Sequence, residues 1–147
     1  MKRGDIVGLI IVLGMLSGVA ALFVFAPQRA EVSFAPVEVS GSALVFIEAH
    51  DSGVVVDAVL GKPGFVTVHE LVGKAPGAIV GVSDFLDVGI YQALFVFTSD
   101  NMRLSGDYVM LMVADDGDGV YEPGVDRPVM VNGEVIRVPV EFTSDLQ

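Results

Sequence analysis

The residues best suited to chemistry stand together in one acidic segment, Asp115-Asp116-Gly117-Asp118-Gly119-Val120-Tyr121-Glu122, with Asp126 close behind. Aspartates alternating with glycine put several hard oxygen donors around one point, as a calcium ion requires. Asp115, Asp116, Asp118 and Glu122 are therefore the candidate metal ligands, and Ca2+ is the candidate cation. The register departs from the twelve-residue calcium loop. Aligning Gly119 with that motif's obligatory glycine places Asp116 and Asp118 on ligand positions, but Ala114 on the first and Val125 on the last. A solvated acidic turn between two strands uses the same residue types, so both readings stay open.

Little else in the chain offers reactive groups. His50 and His69 are the only histidines and there is no cysteine, which removes disulfides, thiolate metal sites and cysteine nucleophiles together. A zinc site of three or four His, Cys and carboxylate ligands lacks its donors, and a blue-copper site lacks its thiolate. Met110 and Met112, two apart on an apolar stretch, read as gap-filling core residues rather than soft ligands. No Gly-x-Ser-x-Gly elbow, phosphate-cradling glycine loop or helical His-Glu pair is present. The expectation is a protein that is not an enzyme.

These residues lie in a strongly acidic stretch. Residues 31–147 carry 18 Asp and Glu against 5 Lys and Arg, a net of −13 over 117 residues, enough chain for one domain with one core. A field of that sign repels nucleic acid and anionic head groups and attracts cations. Nucleic acid is excluded as an expected partner.

Ahead of the acidic stretch stands a different kind of sequence. Residues 6–26 are an apolar run with Ser17 as the one polar side chain, preceded by Lys2 and Arg3. Twenty-one residues rising ~1.5 Å each span a bilayer core of ~30 Å. The basic residues at the short end predict a cytoplasmic N-terminus over residues 1–5, a signal-anchor membrane helix over 6–26, a linker over 27–30 and an extracytoplasmic domain over 31–147. The bilayer is thus the first expected partner, and envelope proteins are the second. Gly14-Met15-Leu16-Ser17-Gly18 is a small-xxx-small stripe through which two such helices could self-associate at Gly14 and Gly18. Two processing alternatives remain open: a cleaved secretory signal, and removal of a short basic leader after Gly4. The second would make the chain resemble a type IV pilin-like filament subunit, although Leu9 stands where that family has its glutamate.

Beyond the linker, short valine-rich segments alternate with glycine, proline and aspartate. Strands are expected at 32–39, 43–48, 54–60, 65–71, 79–82, 93–98, 108–114, 129–131 and 135–142, giving a mainly β fold, an antiparallel Ig-like β-sandwich of about seven to nine strands. Asn132-Gly133 predicts a two-residue hairpin joining the last two strands. In the final strand Ile136, Val138, Val140 and Phe142 alternate with Arg137, Pro139 and Glu141, so one face is buried, and Pro139 puts the strand at an edge. Segments 94–97 and 108–113 are apolar on both faces and are expected to be central strands or strands covered on both faces. A short helical turn capped by Ser83 or Asp84 is expected within 83–92.

Three motifs carry a family resemblance: Gly64-Phe65-Val66-Thr67-Val68-His69-Glu70; Gly81-Val82-Ser83 followed by Leu86 and Gly89; and the acidic segment 115–122 followed by Asp126-Arg127-Pro128-Val129. From about Ala43 to Pro128 the chain resembles an uncharacterised domain family of archaeal and some bacterial cell-envelope proteins, typically anchored by a membrane helix. Many members carry a histidine where this chain has Val113. The resemblance implies an extracytoplasmic β-domain and no assigned activity. The working expectation is a membrane-anchored envelope domain with a structural or interaction role, stabilised by a cation. The alternatives are a pilin-like filament subunit and a metal- or ligand-binding surface module.

Overall fold

The structure, a computed structural model, describes residues 35–98 and 106–142. The expected membrane helix, the linker and the Gly14/Gly18 stripe lie outside the described residues. Within them no helix is long and apolar enough to cross a membrane.

Among the described residues, ten strands form two sheets stacked as a sandwich. They are β1 (Val37–Glu38), β2 (Ala43–His50), β3 (Gly53–Leu60), β4 (Gly64–Val72), β5 (Ala75–Val82), β6 (Gly89–Phe97), β7 (Gly106–Ala114), β8 (Arg127–Val131), β9 (Glu134–Val135) and β10 (Arg137–Phe142). The seven-stranded sheet runs β1-β8-β7-β4-β5, with β10 on β7 and β9 on β8; the three-stranded sheet runs β2-β3-β6. All pairings are antiparallel except β1 with β8.

The core follows from strand alternation, because successive side chains leave opposite faces of a sheet. Leu44, Val54, Val56, Ala58, Leu60 and Val96 point inward from the smaller sheet and meet Val66, Val68, Tyr108, Met110, Met112, Val129 and Val140 from the larger. Met110 and Met112 are fully buried here, as gap-filling side chains should be. The opposite face of β7 is buried as well: Val109, Leu111 and Val113 form a second cluster with Leu71, Tyr121 and Val135 packed on it. The sequence pattern of that central strand is thus met.

The hairpin turn is as expected, but only the start of the expected 135–142 strand stays paired across it. Met130 pairs with Val135 and Val131 with Glu134, while Asn132 (φ 53°) and Gly133 (φ 81°) supply the two left-handed positions of the turn. The chain then breaks at Ile136 and crosses to β7, where Pro139 sits opposite Val109 in an edge strand. A proline there costs no ladder bond that a further strand would need.

Two expectations are corrected. The 83–92 segment is not helical. Its backbone is used by β4 instead: Leu86 and Gly64 exchange N–H···O bonds of 2.9 Å, Ser83 N–H donates to Val66 O, and the Ser83 hydroxyl accepts the Val66 N–H at 3.0 Å. Leu86 enters the core, and residue 89 already opens β6. Serine here caps the end of a strand, and burial of one leucine outweighs a weak helical signal. The second correction concerns 94–97, which lies in the edge strand β6 rather than a central one. Its inward residues are covered, but Phe97 on its outward face is 68% exposed.

The glycines at Gly64 and Gly133 serve different needs, and this separates two substitutions. A Cβ on Gly64 would run into the Val113 carbonyl oxygen of the neighbouring strand, whereas at Gly133 the space is open and only the positive φ is at issue. Gly133→Ala should therefore cost about 1 kcal/mol, and Gly64→Ala ~3 kcal/mol or more by overpacking. Urea denaturation of the two variants checks the order, and equal losses would contradict it.

Candidate functional site

The acidic segment connects β7 to β8, two strands that pair at Val113–Pro128 and Ala114–Arg127, so the loop is pinned at both ends. Asp115 N–H donates to Pro63 O at 3.0 Å as the chain leaves the sheet. The Asp115 carboxylate is 3% exposed and turns into its own loop, accepting Gly117 N–H at 2.9 Å and Gly119 N–H at 3.1 and 3.2 Å. Gly117 and Gly119 both have positive φ, which bends the backbone around that carboxylate.

Asp126, 4% exposed, closes the other side. Its two oxygens accept Asp116 N–H at 3.1 Å and Glu122 N–H at 2.8 Å. Asp118 accepts Val120 N–H at 2.8 Å, and the Glu122 carbonyl accepts the N–H groups of Val125 and Asp126. Buried carboxylates are tolerated here because each satisfies backbone donors that would otherwise be orphaned. Tyr121 then lays its ring edge-on to Phe65 at 5.5 Å, anchoring the loop to the outer face of β4. Burial raises the Tyr121 phenol above its ordinary pKa, and the neighbouring Asp126 charge adds to the rise.

Of the four sequence-predicted ligands the fold assembles three. Asp115, Asp116 and Asp118 each offer an oxygen within 4.8 Å of the others, with Asp116 and Asp118 exposed; Glu122 is not in that group. Asp115 already accepts backbone N–H groups, so a cation would share it with the loop, while Asp116 and Asp118 present their oxygens to solvent. The sequence reading missed the role of Asp126 as the closing acceptor. It missed Arg127 as well, whose guanidinium donates to Ala35 O at 2.7 Å and Pro36 O at 3.1 Å and ties down β1. The Asp126-Arg127 pair inside the third motif was the available signal.

The histidines are not brought to this loop. His50 lies 3.1 Å from Glu48 on the exposed edge strand β2. His69 is buried on β4, its Nδ1 donating to Gly77 O at 3.2 Å and its Nε2 accepting the Thr67 hydroxyl at 2.9 Å. Desolvation lowers its pKa below the ordinary value, partly opposed by the Gly77 carbonyl. On the same side of the larger sheet a cavity of about 640 Å³ is lined by Pro76, Leu111, Pro128, Glu134, Val135 and Arg137. It is the concavity that the ligand-binding alternative would use.

Two curated proteins are similar to part of this chain. A stretch covering 65% of this chain is 35% identical over 99 residues to Cell surface glycoprotein 2 of Haloarcula hispanica, and 32% identical over 99 residues to Cell surface glycoprotein 1 of the same organism. The match spans only 10% and 11% of the length of those two proteins. No solved structure matches.

His69 makes a pH test possible. Its folded-state pKa is depressed, so its neutral form contributes stability above the unfolded value near 6.5, and that contribution is lost as pH falls through 6.5 toward the folded value. Thermal melts between neutral and mildly acidic pH should show a decline that is smaller in His69→Gln. An identical decline in the variant would assign the pH dependence to other groups. The match over residues 31–143 places the chain in the family described as Domain of unknown function (DUF7282).

Proposed function

We propose that the chain is a single-pass, membrane-anchored envelope protein whose Ig-like sandwich stands outside the cell and serves an interaction role there. The apolar run 6–26 and the surface location in the relatives' names support the placement. The observation that carries the interaction role is the outer face of the three-stranded sheet, where large apolar side chains remain exposed. Large contiguous apolar patches on soluble domains mark contact surfaces. Helix pairing through Gly14 and Gly18 would add self-association within the bilayer. The pilin-like alternative keeps the same domain but requires a mature chain beginning at Asp5.

Placement is tested on intact cells. Lys62 and Lys74 are exposed and should react with a membrane-impermeant amine reagent without lysis, and the labelled chain should sediment with membranes while retaining Met1. Labelling only after lysis, or recovery of the intact chain in the soluble fraction, would sink the placement. A start at Asp5 would instead favour the filament subunit.

Calcium on Asp115, Asp116 and Asp118 is the cation part of the same reading. Binding relieves the mutual repulsion of the three carboxylates, and at a free concentration about one hundred times the dissociation constant it stabilises the fold by ~2.7 kcal/mol. Magnesium should do less, because it dehydrates reluctantly and demands octahedral geometry. The expected result is a calcium-specific rise in Tm that disappears when Asp116→Asn and Asp118→Asn are combined. Asp126→Asn should lower Tm in chelator as well, because Asp126 holds backbone N–H groups. Equal melting in calcium, magnesium and chelator would leave the loop a closed turn without an ion.

A further inference from the structure

The outer face of the three-stranded sheet can be read row by row from its register. Ala43, Val59 and Ile90 form one row; Val45 and Asp57 the next; Glu48, Val55 and Phe95 the third; His50, Gly53 and Phe97 the last. Ile47 stands on the same face at the bulge in β2. Nine large apolar residues are exposed among the described residues, and four of them, Val45, Ile47, Ile90 (76%) and Phe97 (68%), share this face. The rings of Phe95 and Phe97 meet edge-on at 4.5 Å, with His50 at 5.8 Å on the other side of Phe95. The side chain of Phe95 lies over Gly53, where a Cβ would meet its ring at 2.8 Å. The result is an aromatic ledge built into the sheet, continuous with the aliphatic rows beside it.

Its charges all have one sign. β2, β3 and β6 contain no Lys or Arg; they carry Glu48 and Asp57, with Asp51 in the β2–β3 turn and Asp87 just before β6. Asp57 is held in place by accepting the Ala93 N–H at 2.9 Å. The nearest cation along the chain is Lys62, beyond the end of β3. A second copy would bring Glu48 and Asp57 against their own kind, in a chain whose formal net charge is already −11. Anionic head groups meet the same repulsion.

Resting on the interaction reading above, we propose that this face receives an apolar protein segment interspersed with Lys or Arg. Its apolar side chains cover Val45, Ile90, Phe95 and Phe97, and its cations meet Glu48 and Asp57. Aromatic and aliphatic burial supplies the hold, and charge complementarity selects the partner and speeds encounter.

The test uses the full chain in neutral-lipid nanodiscs, with empty discs as background, and two fluorescent synthetic peptides of equal length. In one, valine alternates with lysine; in the other, with glutamate. The lysine peptide should bind and weaken with rising salt, because exposed charges are screened. Ile90→Ser combined with Phe97→Ser should weaken it by about tenfold or more. Val120→Ser combined with Val125→Ser, at exposed apolar sites on the acidic loop, should leave it unchanged. Equal binding of both peptides would overturn the charge argument, and lysine-peptide binding insensitive to the face variant would overturn the location. If neither peptide binds but the chain self-associates in sedimentation and the face variant abolishes it, the partner is a second copy and only the cationic assignment fails. Absence of both peptide binding and self-association overturns the interaction reading with it.

Discussion

A strand buried on both faces is the constraint from which this architecture follows. β7 points Tyr108, Met110 and Met112 into the space between the sheets and Val109, Leu111 and Val113 to the other side. One opposing sheet can cover only one of these faces. The second must be closed by whatever the chain can fold back, and here Leu71, Tyr121 and Val135 do it from three different elements. Tyr121 belongs to the acidic loop, so the loop's conformation and the outer face of the larger sheet are packed together through Phe65. The division of β7's edge completes the arrangement. β10 pairs along residues 106–111 and β8 takes over at 113 and 114, which is why the chain must break between β9 and β10.

Acidity shapes the loops as much as the surface. A turn of this length leaves backbone N–H groups without strand partners, and basic side chains cannot accept them. Asp115, Asp118 and Asp126 together take N–H groups from residues 116, 117, 119, 120 and 122. Among the described residues no Lys or Arg pairs with a carboxylate, and the one contact of that kind is the exposed hydrogen bond between His50 and Glu48. Carboxylates in this domain are therefore spent on backbone donors, turns and solvent rather than on salt bridges, and stability rests on apolar packing.

The features legible in the sequence were those fixed by local physics. Alternation from Ile136 to Glu141 identified the buried face of β10, Pro139 its edge position, and Asn132-Gly133 the hairpin, because each depends on a few neighbouring residues. Non-local choices were less visible. Nothing in Val37–Glu38 announces a parallel pairing with Val129–Met130, ninety residues away, which is held by the Arg127 guanidinium. Segment 83–92 looked helical because a serine cap is read locally, whereas its partner is the start of β4. Leu94-Phe95-Val96-Phe97 looked central because apolar residues on both faces normally mean cover on both faces. At the loop, residue types located Asp115, Asp116 and Asp118 together, but could not separate the buried carboxylates that build the turn from the exposed ones.

That exception at β6 stands out once the sheet edges are considered. An unpaired edge invites another strand, and proteins blunt it with bulges, proline or brevity. β2 carries a bulge between Phe46 and Glu48, β6 one opposite Asp57, and β5 register shifts around His69. β10 has Pro139, and β1 and β9 are two residues long. With each edge broken in this way, strand addition is an unfavourable route to a partner. The β2-β3-β6 face has no comparable protection: Val45, Ile47, Ile90 and Phe97 stand exposed on it where a solvated face would carry lysine, threonine or serine. The same fold thus closes the route that depends on backbone hydrogen bonds and leaves open the one that depends on side chains. Recognition through side chains can be selective by shape and charge, whereas an open edge accepts almost any extended strand.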